Sequence, residues 1–300
     1  MATLYTQKDS NIRKTFFLIS VFLVLIIAIG FLFSEIIGNS YILYFAIIFS
    51  IGTSFFSYWY SDKVVLGLTR AKEIAKKDNP ELYRLVENLC IASGLPLPKI
   101  FILPETQPNA FATGRNEKHA VIAVTHGLLQ KLEKSELEGV IAHELSHIKN
   151  KDMLIQTMVV VLCGVIAMVS HFFLRFGLYG GFSNRGNSKN NNPALLILGL
   201  LAAILAPIAA VLLKLAISRK REFLADNSAA LLTRYPDGLI RALSKISEDQ
   251  SPMRKPNNST AHLFISSPFK GKERKSWFFK MFLTHPPINE RIQALQTIKV

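Results

Sequence analysis

Residues 140–153, which read VIAHELSHIKNKDM, decide how this chain is built, because they join a helix that contains two histidines to an uncharged run. Within them His143 and His147 stand four residues apart, and on an α-helix that spacing puts two side chains on one face. The uncharged run begins at Met153 and continues to residue 174. About 20 apolar residues are enough to cross a bilayer as a helix. The histidine pair therefore lies directly before a predicted membrane span.

The composition as a whole is that of a membrane protein with a soluble portion. Half of the 300 residues are hydrophobic, 19% are charged, and the mean hydropathy is +0.28. Two cysteines are too few for a disulfide framework, and so apolar a chain is not disordered. The formal net charge is +14, and residues 270–282 interleave basic and aromatic side chains. Because the basic residues flank apolar runs, we expect them to contact the lipid bilayer and expect no nucleic-acid partner.

Four long apolar runs predict four transmembrane helices. The runs lie at about residues 15–34, 40–60, 153–174 and 194–214. The first run is too long for the apolar part of a signal peptide, so it is predicted to be an uncleaved anchor. Lysine and arginine cluster before the first run and after the second and fourth, whereas the 35–40 loop has none. The positive-inside rule then places both termini in the cytosol.

These spans predict a division of the chain into four parts. Residues 1–61 form an N-terminal membrane hairpin, and residues 153–217 form a second one. Residues 62–152 and 218–300 form two cytosolic parts, of which the first contains the helix with the histidine pair. A membrane hairpin returns the chain to its starting side, so we expect residues 152 and 218 to emerge next to each other.

The first cytosolic part shows local signals for a helix and short strands. Hydrophobic periodicity and turn residues predict a helix at 80–92 and strands at 99–103 and 119–124. The NAFATG segment at 109–114 alternates weakly and is either an edge strand or a loop. Ser135 and Glu138 match the S-x-x-E capping pattern, which predicts that the helix with the histidine pair begins there.

The motif His143-Glu144-Leu145-Ser146-His147 predicts a site for one Zn²⁺ per chain. Neutral imidazoles are good zinc ligands, and Glu144 is placed to reach a water in the open position that catalytic zinc sites keep. Two histidines with ordinary hydrogen bonds are the alternative. The rest of this helix is apolar, however, and burying these side chains without a partner would be costly.

The third zinc ligand is predicted on a second helix. No histidine follows His147 at the metzincin spacing, whereas Glu222 and Asp226 stand four residues apart among apolar neighbours. We expect Glu222 to be the third ligand and Asp226 to be the acceptor that orients one ligand imidazole. The alternative is that both acids lie in the first turns of a helix, where they favour its dipole.

Two further groups of residues are candidates for contacts with a substrate. Asn109, Ala110 and Phe111 could hold an extended peptide as an additional strand, although a plain strand with an Asn cap fits equally well. His285 and Arg291 could donate to the developing oxyanion. A proline-rich turn followed by a helix explains them as well.

Four stretches give the chain a specific resemblance to a known family. They are NAFATG at 109–114, VIAHELSHIKNKDM at 140–153, SRKREFLAD at 218–226 and THPPINERIQAL at 284–295. The chain resembles the HtpX-type membrane zinc metalloproteases, which are relatives of the CAAX prenyl-proteases. It departs from the family at Leu224, a position often held by histidine but not needed for zinc.

The resemblance implies a mostly α-helical membrane protein, with four transmembrane helices and an α-rich, zincin-like metalloprotease domain that has a small β-sheet. It implies zinc held by His143, His147 and Glu222, in the gluzincin manner, with Glu144 as catalytic base. Its expected substrates are polypeptides, mainly misfolded or damaged membrane proteins cleaved at the cytosolic face of the bacterial inner membrane in stress-linked quality control. The resemblance does not specify an oligomeric state.

Two other functions remain as alternatives. A CAAX-type prenyl-peptide protease usually has more spans and a large enclosed chamber, which 300 residues with four spans disfavour. A catalytically silent membrane scaffold is expected to lack the base or one ligand, whereas Glu144 and all three candidate ligands are present.

Overall fold

The structure is a computed structural model that describes residues 4–178, 219–254, 256–257, 259–269 and 286–298. Its α-helices are α1 (Leu4–Ile37), α2 (Tyr41–Thr69), α3 (Pro80–Ser93), α4 (His126–Lys131), α5 (Lys134–Lys149), α6 (Asp152–Leu178), α7 (Arg219–Thr233), α8 (Pro236–Glu248) and α9 (Ile288–Gln296). Its strands are β1 (Lys72–Glu73), β2 (Lys99–Leu103), β3 (Ala110–Thr113) and β4 (Val121–Thr125). The predicted fourth span, residues 270–282 and His285 lie outside the described residues.

Within the described residues, three helices are long and apolar enough to cross a membrane. They correspond to the first three predicted spans and comprise Asp9–Glu35, Tyr41–Thr69 and Asp152–Ser170. The first and third pack against each other through apolar side chains that recur every three or four residues on each helix. These side chains are Leu18, Phe22, Ile26 and Ile29 of α1 and Ile155, Val159, Leu162 and Ile166 of α6.

Helix α2 turns a face of small residues toward its neighbours and large apolar residues outward. Its buried positions are Ala46, Ser50, Ser54, Ser57, Ser61 and Val65. Where α1 contacts α2, a Cβ atom added to Gly30 would lie 2.2 Å from the Cβ of Ala46. Exposed side chains such as Phe45, Ile48 and Phe55 form the apolar surface expected of a helix that faces lipid.

The four described strands form one mixed sheet in the order β1-β2-β4-β3. Strand β2 is parallel to β4, and the edge strands β1 and β3 are antiparallel to β2 and β4. Alternate side chains of the sheet enter two different cores. Ile100, Ala112 and Ile122 face the core that includes α3 and α5, whereas Phe111 and Ala123 face a core shared with α2 and α6. The sheet is thereby buried between the two groups of helices.

Most of the predicted local structure is confirmed. Helix α3 begins with Asn79 as its N-cap, whose side chain accepts from the Leu82 amide. Strand β2 has the predicted bounds, and β4 begins at Val121 rather than at residue 119. The NAFATG segment forms the edge strand β3 and not a loop.

The predicted start of α5 is wrong. The helix begins at Lys134, and its capping box uses Glu133 and Glu136 instead of Ser135 and Glu138. A carboxylate oxygen of Glu136 accepts from the Glu133 amide (2.9 Å) and from Lys245 Nζ of α8 (2.8 Å). The tertiary contact with α8 therefore selects one of two overlapping capping patterns, which local sequence does not distinguish.

Candidate metal centre

Helix α5 carries the histidine pair and is largely buried among other helices. It packs against α7 and α8, and Gly139 lets the Leu239 backbone come so close that an added Cβ would lie 2.7 Å from the Leu239 nitrogen. His143 and His147 are both buried, with their rings edge to face and their Nε2 atoms 3.1 Å apart. The two imidazoles therefore converge on one point, as their spacing predicts.

Helix α7 brings Glu222 to the same point. Its carboxylate oxygens lie 3.8 Å from Nε2 of His143 and 3.6 Å from Nε2 of His147. One ligand atom from each of the three residues lies within 4.8 Å of the other two. Ligands placed about 2.1 Å from a tetrahedral zinc ion are about 3.4 Å apart, so this donor set fits zinc and leaves one position open.

The charges around the cluster also suit a divalent cation. The buried ionisable groups beside the histidines are four carboxylates and two guanidinium groups: Glu144, Asp152, Glu222, Asp226, Arg221 and Arg291. With all six ionised, the described groups carry two more negative than positive charges. Buried charge without compensation is costly, and one Zn²⁺ would balance the site.

Asp226 lies one turn after Glu222 and contacts the first histidine. The Nδ1 group of His143 donates to Oδ1 of Asp226 at 2.9 Å, which turns Nε2 toward the cluster. Arg291 of α9 donates to both oxygens of Asp226, from Nε at 2.8 Å and from Nη2 at 2.7 Å. Burial alone would raise the pKa of Asp226, but Arg291 and His143 lower it to about 2.

The second histidine has its own carboxylate, which sequence reasoning missed. Nδ1 of His147 donates to Oδ2 of Asp152 at 3.0 Å. Asp152 begins α6, and Lys151 before it has a φ of 56°, so a left-handed residue interrupts the helical backbone between α5 and α6. In the sequence, the feature that could have identified this partner is that Asp152 is an acidic residue five positions after His147, directly before an apolar span.

These neighbours change the proton affinity of His147. Burial alone would lower its pKa, but the hydrogen bond to Asp152 and the negative charges of Glu222 and Glu144 raise it to about 9. Burial likewise lowers the pKa of Arg291, and Asp226 and Glu222 outweigh burial and raise it. A metal ion bound by His147 therefore displaces a proton at neutral pH.

Glu144, the predicted catalytic base, and Arg291, a predicted oxyanion donor, are both buried beside the histidine pair. Glu144 is 2% exposed, and its charge contributes to the raised pKa of both His147 and Arg291. Arg291 is fully buried, with Nη1 3.8 Å from Glu222, and its bonds to Asp226 make it a counter-charge of the site. The other predicted oxyanion donor, His285, lies outside the described residues.

The predicted substrate strand is partly covered by the chain itself. The Ala110 carbonyl accepts from the Ile265 amide at 3.1 Å, and the Asn109 side chain donates to the Ser266 carbonyl at 2.8 Å. The ring of Phe111 packs edge to face on Phe264. The segment 264–266 therefore pairs with the Asn109 side chain and with the outward Ala110 carbonyl, and the next residue of β3 whose main-chain groups point away from β4 is Ala112.

The expected family agrees with comparisons to known proteins. Residues 76–299 match the profile described as peptidase family M48. "Protease HtpX homolog" of Thermococcus sibiricus is 48% identical over 276 residues, which cover 91% of each chain. The protein of the same name from Thermoanaerobacter pseudethanolicus is 42% identical over 300 residues, which cover 99% of this chain and 98% of that one.

The fold also resembles a solved structure. The crystal structure of S. mikatae Ste24p is similar with a TM-score of 0.51 and 17% identity, covering 98% of this chain and 67% of that one. The described part of the chain accordingly confirms a helix-rich protein with a small mixed sheet and three candidate membrane helices. The chain is a membrane metalloprotease that belongs to peptidase family M48.

Proposed function

We propose that this protein is a zinc-dependent endopeptidase in which His143, His147 and Glu222 hold one Zn²⁺ per chain. The observation that carries the proposal is the buried cluster of two imidazoles and one carboxylate with all ligand atoms within 4.8 Å. The excess of buried negative charge around the cluster supports a divalent ion. Zinc bound by such ligands lowers the pKa of water and polarises a carbonyl group.

The side chains of the site would supply the proton transfers and the positioning. Glu144 accepts a proton from the attacking water and returns it to the leaving amine when the peptide bond breaks. Asp226 and Asp152 hold Nδ1 of the two histidines, so that each ring presents Nε2 to the ion. The role of Arg291 as an oxyanion donor stays a prediction, because its Nε and Nη2 groups donate to Asp226.

We infer that the substrate is an extended polypeptide that pairs with the edge strand β3, whose four residues are buried in the free chain. The N–H and C=O groups of Ala112 point away from β4, since Asn109 and Phe111 face that strand in the antiparallel pairing. A peptide that adds there is held by its main chain, which tolerates many side chains. We infer that substrates are misfolded or damaged membrane proteins, whose unfolded segments can present such a main chain.

The predicted topology places this reaction at the cytosolic membrane surface of a bacterial inner membrane. Asn11, near the start of the candidate span Asp9–Glu35 of α1, contacts Asp152 at the start of α6, so the N-terminal ends of two candidate spans meet beside the metal centre. The positive-inside rule assigns that side to the cytosol. The two membrane hairpins, 1–61 and 153–217, and two cytosolic parts, 62–152 and 218–300, remain the proposed organisation.

The test is cleavage of an unfolded membrane protein by the detergent-purified chain, with zinc and with a chelator. Glu144→Gln should bind zinc normally and lose turnover, because the amide cannot accept the proton. Glu138→Gln is the matched control on the same helix, at a partly exposed position, and should cleave like the unmodified chain. Cleavage that survives in Glu144→Gln, or a chain that binds no zinc, overturns the proposal.

A prenylated peptide serves as a second substrate in the same assay. Cleavage of the prenylated peptide alone would support the prenyl-peptide protease instead of quality control. Zinc binding without cleavage of either substrate would support a silent scaffold.

A further inference from the structure

We propose that Asn11, on the first membrane helix, is a positioning residue of the metal centre that acts on His147 through Asp152. Asn11 lies near the start of the candidate span Asp9–Glu35 of α1, four residues before the apolar run predicted at 15–34. The proposal rests on the proposed zinc function and adds to it that a membrane helix, far away in the sequence, completes the site.

The contacts begin at the carboxylate of Asp152. Nδ2 of Asn11 donates to Oδ1 of Asp152 at 2.6 Å, and Oδ2 of the same carboxylate accepts from Nδ1 of His147 at 3.0 Å. One oxygen of Asp152 is thus held by α1 while the other orients a candidate ligand. Because a carboxylate is planar and rigid, the bond to Asn11 limits rotation of Asp152 about its side-chain bonds.

The remaining groups of the Asn11 amide reach two more elements. Nδ2 also donates to the Asn150 carbonyl at 3.0 Å, just after the end of α5, and Oδ1 accepts from Nη1 of Arg221 at 3.4 Å. Arg221 is buried, lies 3.4 Å from Asp152 through its Nε, and directly precedes Glu222 on α7. The single amide therefore connects the ends of α5, α6 and α7, and two of these helices carry the three candidate ligands.

An asparagine at this position is not needed for packing the helix. Asn11 is fully buried, and a buried amide costs free energy unless its donors and acceptor are all used. The apolar contacts of α1 with α6 are made further along, by residues such as Leu18 and Phe22. Helix docking and positioning of the metal ligand can therefore be separated by mutation.

The experiment compares metal binding with stability in the full chain in detergent. Asn11→Leu keeps the side-chain volume and removes all three hydrogen bonds, and Asn11→Ala removes them without added bulk. Leu18→Ala is the control for helix docking, and Ser20→Ala is the control for an exposed polar residue of α1. The measured quantities are zinc affinity by competition with a chromophoric chelator, the visible absorption spectrum of the cobalt-substituted protein, and Tm.

We expect both Asn11 variants to bind zinc about tenfold more weakly, the low end of the loss seen when an outer partner of a metal ligand is removed. Their cobalt spectra should change, because the geometry at His147 changes. Leu18→Ala should lower Tm with zinc affinity and spectrum unchanged. In the background Asp152→Asn, Asn11→Leu should have little further effect, since the two residues act in series.

Unchanged zinc affinity and an unchanged cobalt spectrum in both Asn11 variants would show that Asn11 only helps to dock α1. An equal loss of zinc affinity in Leu18→Ala would lead to the same conclusion. An unmodified chain that binds neither zinc nor cobalt would instead overturn the proposed function, so the two failures are distinguishable.

Discussion

His147 and Asp152 are joined by a hydrogen bond of 3.0 Å across the turn that separates α5 from the candidate membrane helix α6. His143 has a matching partner in Asp226, at 2.9 Å on α7. Each imidazole of the candidate metal centre is thus oriented by a carboxylate from a different helix. The position of a candidate membrane helix thereby becomes part of the geometry of the site.

The first prediction concerns Asp152. Asp152→Asn keeps the shape of the side chain but replaces a charged acceptor by an amide, so Nδ1 of His147 loses its charged partner. We expect zinc affinity to fall by roughly 10- to 100-fold, the range typical for loss of such a partner. Chelator competition measures the affinity. The control Asp237→Asn, at an exposed position of α8, should bind like the unmodified chain, and equal affinities in both variants would contradict the assignment.

The second prediction concerns Arg291, which is fully buried and bonded to both oxygens of Asp226. Arg291→Met leaves the buried Asp226 carboxylate without its counter-charge, and breaking a buried pair in this way costs about 3–5 kcal/mol. A clear fall in Tm is expected by thermal unfolding in detergent. Arg84→Met, at an exposed position of α3, should leave Tm unchanged. A Tm equal to that of the unmodified chain would show that the buried Asp226 carboxylate does not need Arg291 as its counter-charge.

The third prediction is a pH dependence of metal binding. The pKa of His147 is raised to about 9, so below that pH the imidazole is protonated, whereas only the neutral imidazole binds zinc. Each fall of one pH unit below about 9 should weaken zinc binding by about tenfold through this group alone. Chelator competition between pH 7 and 9 measures the slope. An affinity independent of pH over this interval would mean that His147 is already neutral there.

The fourth prediction concerns the packing of the first two membrane helices. A Cβ added at Gly30 would lie 2.2 Å from that of Ala46, so Gly30→Ala must push α1 and α2 apart. Overpacking of this kind costs about 1–3 kcal/mol and should lower Tm. Gly52→Ala is the matched control, because nothing lies within 4 Å of a Cβ built there. If both variants have the same Tm, the close contact between the helices is not present in the protein.

Features that depend on neighbours along the chain were predictable. Asn79 followed by Pro80 begins α3, and the apolar run 99–103 forms β2, because caps and apolar periodicity act within a few residues. The convergence of His143 and His147 is likewise a property of one helix. The start of α5 was not predictable, since the bond between Glu136 and Lys245 of α8 decides it.

The edge strand β3 is a second feature that the local sequence does not decide. Its sequence predicted either a strand or a loop, and only the pairing with β4 decides for the strand. Which polar groups of this segment are already hydrogen-bonded depends on residues 264–266, which are more than 150 positions away and bond to Asn109 and Ala110. No local pattern contains that information.

The sequence by itself determined the three candidate membrane spans within the described part, the helix with the histidine pair and the three candidate metal ligands. These follow from helical spacing, from the length of apolar runs and from the chemistry of imidazole and carboxylate groups. The tertiary structure alone decided that Asp152 orients His147 and that Asn11 of the first membrane helix holds Asp152. Asn11 and Asp152 are 141 positions apart, and only the packing of α1 against α6 brings them together, because hydrogen bonds depend on distance in space and not on separation along the chain.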